Sequence, residues 1–301
     1  MRNEPLLTAA ELTELHAQSV ERSNALRIAA GLLHGGPQLS RRRGLGLELF
    51  ESRPYCTGDD VRHMDWRATA RHGKPISKVF RAEQQRNSVI VVDRASSMAF
   101  GTRGQLKAAA AVAAAASLSF AAIADHETVA GVVVNDACES FPPRRDLTGI
   151  FPFINAINAP LSPRRAANVQ AHPLTQTNSY QLIERSAGAG SHIYLISDFY
   201  FFDVPQHAML SQLAQRYAVT ALHITDPAEE TLSNVGLLRI FSAVDGREHV
   251  IDTSNAELRR RYAEQRATRL RELDTNLQRC GCVVRRITTQ NVIPVQLQGI
   301  A

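Results

Sequence analysis

Two aspartates in this chain each close an apolar run: Asp93 follows Val89-Ile90-Val91-Val92, and Asp198 follows Ile193-Tyr194-Leu195-Ile196-Ser197. Ser96 and Ser97 stand just behind Asp93, and Thr175 and Thr177 precede a helical stretch that begins near Tyr180. Carboxylates and hydroxyls are hard oxygen donors, the set that holds Mg²⁺ or a similar divalent cation. Asp93 and Asp198, with the hydroxyls of Ser96, Ser97 and either Thr175 or Thr177, are therefore the candidate metal ligands. The same groups also have a structural use, because an aspartate or serine at a strand end can cap the helix that follows. Catalytic chemistry finds less support. His63, His72, His192 and His223 show no nucleophile or two-metal spacing, and no Gly-x-Ser-x-Gly elbow, phosphate loop or dinucleotide glycine motif occurs. No enzyme activity is expected; a metal-dependent hydrolase using Asp93, Asp198 and a histidine is the alternative.

For these residues to meet, the chain must deliver them to one edge of a sheet. Val89–Val92, Val129–Val134, Ile193–Ser197 and Val219–Ile224 are short β-branched or apolar runs, the pattern of strands buried on both faces. Helical patterns alternate with them at Gln105–Ala124, Leu147–Ile157, Tyr180–Ala187 and Pro205–Arg216. Alternation of this kind predicts an α/β fold with a mostly parallel sheet and helices on both faces. Ligands of such sheets sit at the carboxyl ends of strands, where Asp93 and Asp198 would share a rim. Ala137–Phe141 reads as a short neighbouring strand stopped by Pro142-Pro143. Leu237–Phe241 and Glu248–Ile251 form a hairpin through Asp245-Gly246. A charged helix, Asn255–Gln278, and a last strand, Val283–Ile287, complete the pattern. The uncharged run Ala108–Ala124 is mostly alanine, which suits a buried helix better than a membrane span.

Leu6–Leu33 is a helix opened by a Thr8/Glu11 capping box and stopped at Gly35-Gly36-Pro37. Short strands at Leu45–Phe50 and Ile76–Phe80 enclose the stretch from Arg53 to Arg71. There Gly58 supplies a turn, and Asp59 or Asp60 caps a short helix with Val61, Met64 and Ala68 on its inner face. Trp66, the one tryptophan, is expected to anchor this helix in the core. Arg53, Arg62, Arg67 and Arg71 alternate with Asp59, Asp60 and Asp65, a pattern that predicts an ion-pair network. Two domains follow: residues 1–85, an N-terminal helix with a small β-containing segment, and residues 86–301, with a hairpin insertion near 236–252.

The apolar share of 44% and charged share of 21% over 301 residues are those of a globular protein with a sizeable core. The net charge of +5 rests mainly on arginine. Arg41–Arg43 and Arg259–Arg261 are the candidate nucleic-acid contacts, but the second group stands at helix-pairing distance from Glu257 and Glu264. Nucleic-acid binding is the lesser alternative. Cys56, Cys138, Cys280 and Cys282 lack a disulfide framework and no signal peptide is read before them, so free thiols in a reducing cytoplasm are expected.

The strand-end set resembles the metal-ion-dependent adhesion site of von Willebrand factor A domains, whose first motif is Asp-x-Ser-x-Ser with a Thr and an Asp from later loops. Here the motif reads Asp93-Arg94-Ala95-Ser96-Ser97. Asp93 and Ser97 match, Ala95 removes one direct oxygen ligand, and Arg94 brings a charge that could bond a partner. The stretch from Arg53 to Arg71, with Phe80-Arg81-Ala82-Glu83 and the Asp93 strand, resembles the signature of the DUF58 family, Tyr-x-x-Gly-Asp-Asp-x-Arg-x-x-Asp-Trp-x-x-x-Ala-Arg. Tyr55, Gly58, Asp59, Asp60, Arg62, Asp65, Trp66, Ala70 and Arg71 match it position by position. The resemblance implies a von Willebrand A-like, Rossmann-like domain in a cytoplasmic, non-enzymatic adaptor. Its implied partner is a MoxR-type AAA+ ATPase, in chaperone-like assembly or activation of a client protein. The signature would act as an internal clamp or as a docking face, and the clamp is the expectation.

Overall fold

The computed structural model describes residues 4–34, 43–56, 60–81, 87–102, 104–135, 138–161, 177–200, 202, 204–241 and 247–290. The chain separates into two units, one of residues 1–23 and 86–301 and a smaller one of residues 24–85. The first 23 residues thus belong with the larger unit, not with the signature segment. The cause is packing. Helix α1 (Ala9–His34) opens at the expected capping box, where the Thr8 N–H donates to Glu11 Oε2 at 2.7 Å and the Glu11 N–H to Thr8 Oγ1 at 3.3 Å. Leu6, Leu7, Leu12 and Leu15 then enter the core of the larger unit.

In the smaller unit β1 (Arg43–Pro54) and β2 (Ile76–Arg81) pair antiparallel. A 3-10 turn, Val61–His63, and a short helix α2 (Trp66–His72) connect them. The segment folds back on β2: the Tyr55 N–H donates to Pro75 O at 2.9 Å, the Asp65 N–H to Ile76 O at 2.8 Å, and Met64 bridges Ser77.

The larger unit continues with β3 (Asn87–Asp93), α3 (Lys107–Ala124), β4 (Thr128–Val134), β5 (Glu139–Arg144), α4 (Leu147–Asn158), α5 (Thr177–Ser186) and β6 (His192–Ser197). Then come α6 (Val204–Arg216), β7 (Ala218–Thr225), α7 (Pro227–Glu230), the β8–β9 hairpin (Leu237–Phe241 and Glu248–Asp252), α8 (Ala256–Arg279) and β10 (Val283–Thr288). Its sheet has the order β10-β7-β6-β3-β4-β5, parallel throughout except for β5. This is the mixed α/β architecture that the strand–helix alternation predicts. On β3, Ile90 and Val92 join the core under α3 and α4, whereas Val89 and Val91 join the core under α5, α6 and α8. Burial on both faces is why these strands read as continuous apolar runs.

Helix α3 is long and apolar enough to cross a membrane, but 89% of its apolar window is buried inside the protein. Its alanines let it lie close on the sheet. Gly131 on β4 serves the same end, since a Cβ there would come within 2.2 Å of the Phe153 ring of α4. One strand runs further than expected: β5 continues through Pro142 and Pro143 to Arg144. It is an edge strand, where a missing N–H costs no ladder bond.

Candidate functional site

Because β3 and β6 are neighbours in parallel register, with Val92 beside Ile196, Asp93 and Ser197 meet at their carboxyl ends. Ser197 Oγ donates to Asp93 Oδ2 at 2.6 Å, and the Ala95 N–H donates to Oδ1 at 2.9 Å. Asp93 is buried, and each of its oxygens carries a protein hydrogen bond. The Phe199 N–H returns to Ser197 Oγ at 2.9 Å and holds Phe199 at φ +48°, a left-handed conformation that costs an L-residue roughly 1–2 kcal/mol.

Asp198 meets a cation that belongs to the chain itself. Lys107 Nζ lies 2.7 Å from Asp198 Oδ2 and 2.7 Å from Glu229 Oε1, and the Lys107 and Asp198 side chains are each only 2% exposed. The Tyr200 N–H adds a bond to Asp198 Oδ1 at 3.1 Å. Burial alone would raise the Asp198 pKa, but the Lys107 ammonium, the Tyr200 N–H and the Ser97 hydroxyl together hold it below the usual carboxylate range. Burial likewise works against the charge on Lys107, and the two carboxylates overcome it and raise its pKa. Lys107 is also the first residue of α3, where the helix dipole disfavours a cation, so its charge depends on Asp198 and Glu229. Glu229 is in turn 3.6 Å from Arg266.

A third strand-end carboxylate completes the rim. Asp226, after β7, accepts from Thr102 Oγ1 at 2.5 Å, the Ala228 N–H at 3.0 Å, the Thr102 N–H at 3.0 Å and Thr289 Oγ1 at 2.7 Å. Burial opposes its charge, and these donors outweigh burial and lower its pKa. His223, on β7, is fully buried; burial pushes its pKa down to about 3, although Asp198 pulls the other way.

Among the described residues, the donors do not fit a divalent ion. Asp198 already holds a fixed ammonium, Asp93 accepts from Ser197 and Ala95, and Ala95 has no side-chain oxygen, its carbonyl being taken by the Met98 N–H. Ser97 Oγ is buried and helps hold the Asp198 charge without a well-formed hydrogen bond. Thr177 opens α5, and its side chain, like all of Thr175, lies outside the described residues. Among the described residues no cluster of three His, Cys, Asp or Glu side chains is disposed to bind a metal. Arg94 is likewise occupied. Its guanidinium donates to the carbonyls of Ile157, Ala159 and Pro160, where it caps the C-terminal end of α4 and does not reach toward a partner.

Beside the rim, the loop after β6 and helix α8 enclose a groove of about 540 Å³. Phe199, Phe202 and Leu273 contribute its apolar surface, and Glu264, Arg269 and Glu272 its charged one. Arg269 fixes the loop, donating to Tyr200 O at 2.9 Å with its guanidinium 5.2 Å from the Tyr200 ring.

The signature stretch departs from expectation. Trp66 is 66% exposed, not anchored in the core, and Val61 is 54% exposed, because the expected single helix is a 3-10 turn followed by α2. Asp60 caps the turn and pairs with Arg62 at 2.9 Å, whereas Asp65 caps α2, accepting from the Ala68 N–H at 3.0 Å. That pair is the one ion pair of the stretch among the described residues. Arg53 and Tyr55 are half-buried, Arg71 is exposed, and Gly58 and Asp59 lie outside the described residues.

Lys107, Glu229 and Asp226 lie outside the sequence candidates. The signal for Lys107 was present: it is one of three lysines in the chain and stands at the head of the long uncharged alanine run.

Residues 51–272 match the family model described as "Protein of unknown function DUF58". Uncharacterised proteins of Mycobacterium tuberculosis (Rv1480) and Mycobacterium bovis (Mb1516) are each 30% identical over 254 residues, 83% of this chain and 77% of theirs. Among solved structures, the conserved hypothetical protein BatB of Bacteroides thetaiotaomicron has a TM-score of 0.47 at 16% identity, covering 70% of this chain and 93% of its own. An aerotolerance-related membrane protein of Bacteroides fragilis has a TM-score of 0.45 at 15% identity, covering 70% and 94%.

Proposed function

The chain belongs to the DUF58 family, and on that premise we propose that it is a protein-binding adaptor, not an enzyme, with a rim that works without a metal ion. The observation that carries this reading is the buried Asp198–Lys107–Glu229 arrangement. A divalent ion at a von Willebrand A-like rim is completed by an anionic oxygen from the partner. Here an internal ammonium is already neutralised by two internal carboxylates, and Asp93 and Asp226 are likewise committed to protein donors. Such a rim ties three strand ends to two helices, and among its described residues each carboxylate is held by a protein donor, which supports a binding role over a catalytic one. Recognition then falls to the surface beside it, where Phe202 and Leu273 offer apolar area between charged walls.

The partner in this reading is a cytoplasmic MoxR-type AAA+ ATPase, and the outcome is chaperone-like assembly or activation of a client protein. The test uses the purified ATPase encoded by the same genome, kept nucleotide-free so that its own metal does not enter. It is passed over immobilised full-length chain with Mg²⁺ or with EDTA. Equal retention in both is expected. Retention only with Mg²⁺ would reinstate a working ion at the rim, and failure to bind in either would overturn the adaptor reading.

A further inference from the structure

The charge of this chain is unevenly placed. Residues 24–85, the smaller unit, hold eleven Lys and Arg against six Asp and Glu, a net +5 equal to that of the whole chain. The remaining residues hold 23 of each sign and are neutral. Within the smaller unit the sole tryptophan is 66% exposed and Val61 is 54% exposed. Arg67, Arg71 and Lys74, in the same turn-and-helix segment, are exposed as well and make no ion pair with a described residue. Arg67 and Arg71 stand four apart on α2, an arrangement of like charges that is unfavourable to an isolated helix. The turn and helix are themselves well tied, through the Asp60 and Asp65 caps, the Ile76 N–H to Thr69 Oγ1 bond at 3.0 Å and the left-handed Gly73. The surface is therefore exposed yet fixed in shape.

We propose that this surface, Val61 and Trp66 with Arg67, Arg71 and Lys74, is a docking site for an acidic segment of a partner protein. A large aromatic beside arginines is the composition of interface hot spots, where the ring supplies buried area and the guanidinium groups bond carboxylates. Charge complementarity selects the acidic partner and steers its approach. A nucleic acid fits less well. Asp60, in the same short stretch, neutralises Arg62, so the remaining cations are discrete points and not a continuous basic track for a phosphate backbone, and a peptide can set single carboxylates against them. The inference concerns the smaller unit and is independent of the rim and of the identity of the ATPase.

The tryptophan is its own reporter. In the free full-length chain, iodide quenches Trp66 fluorescence more strongly than caesium does, because the local field is positive. Titration with a short peptide of Glu and Leu shifts the emission to the blue, and its Lys and Leu counterpart leaves it unchanged. The R67E/R71E double variant weakens binding by about tenfold or more, and raising the salt weakens it further. R271E/R285E makes the same change of net charge on the larger unit and leaves binding unchanged. Circular dichroism melts of both variants overlie that of the wild type, since all four side chains are exposed. Equal loss in both double variants, or no binding at low salt, overturns the proposal. So does tighter binding of a single-stranded oligonucleotide that displaces the peptide.

Discussion

Replacing Lys107 by methionine tests the rim directly. Methionine fills nearly the same space and removes only the charge, leaving Asp198 in a site where its side chain is 2% exposed. Its remaining support is the Tyr200 N–H and the Ser97 hydroxyl. Removing one partner of a buried pair costs about 3–5 kcal/mol, because the other charge is left uncompensated. At roughly 2–4 °C per kcal/mol for a domain of this size, the melting temperature of Lys107→Met falls by about 6–20 °C at pH 7. The pH dependence gives the sign of the cause. In the wild type the Asp198 pKa is lowered, so its contribution is present above the unfolded value and lost as pH falls through the folded one. In the variant the same carboxyl, deprived of its cation, has a raised pKa and is stabilised by protonation, so the deficit shrinks as pH falls from 7 toward 5. Adding Asp198→Asn to Lys107→Met removes the unpaired charge and recovers most of the loss. Urea unfolding followed by far-UV circular dichroism measures all three proteins. A Lys107→Met deficit under about 1 kcal/mol, or no recovery in the double variant, would refute the view that the rim is built around its own ammonium.

Three further outcomes are expected. His223 is held neutral in the fold with a pKa near 3, against an ordinary value of 6.5, so the unfolded chain takes up a proton that the folded chain refuses. Stability then falls by up to about 1.4 kcal/mol per pH unit between 6.5 and 3, and His223→Leu removes that slope from the melting profile. Gly131→Ala drives a methyl group into the Phe153 ring and destabilises by about 1–3 kcal/mol in chemical denaturation; a neutral effect would mean that α4 can move away from β4. Arg94→Ala uncaps α4 and lowers stability by roughly 1–3 kcal/mol, and partner retention on the column is unchanged at temperatures where the variant is folded.

Much of this molecule is legible in its sequence because its pattern is local. Continuous runs such as Val89–Val92 mark strands buried on both faces, and Asp93 and Asp198 at their ends lie on one rim for topological reasons alone. The Thr8/Glu11 box, the β8–β9 hairpin and the nine-residue match to the family signature are equally local. What sequence could not decide was which groups meet. Lys107 lies 91 residues from Asp198 and 122 from Glu229, and only the packing of α3 on the sheet and the position of α7 bring the three together. The pattern Asp93-Arg94-Ala95-Ser96-Ser97 points to a cation site, and the fold places an ammonium beside its distant carboxylate. Burial is the other quantity set by tertiary structure. Trp66 carries the hydrophobic payload of a core residue, yet its 3-10 turn and short helix leave it exposed, because a side chain's surroundings depend on what packs against it and not on its own preference.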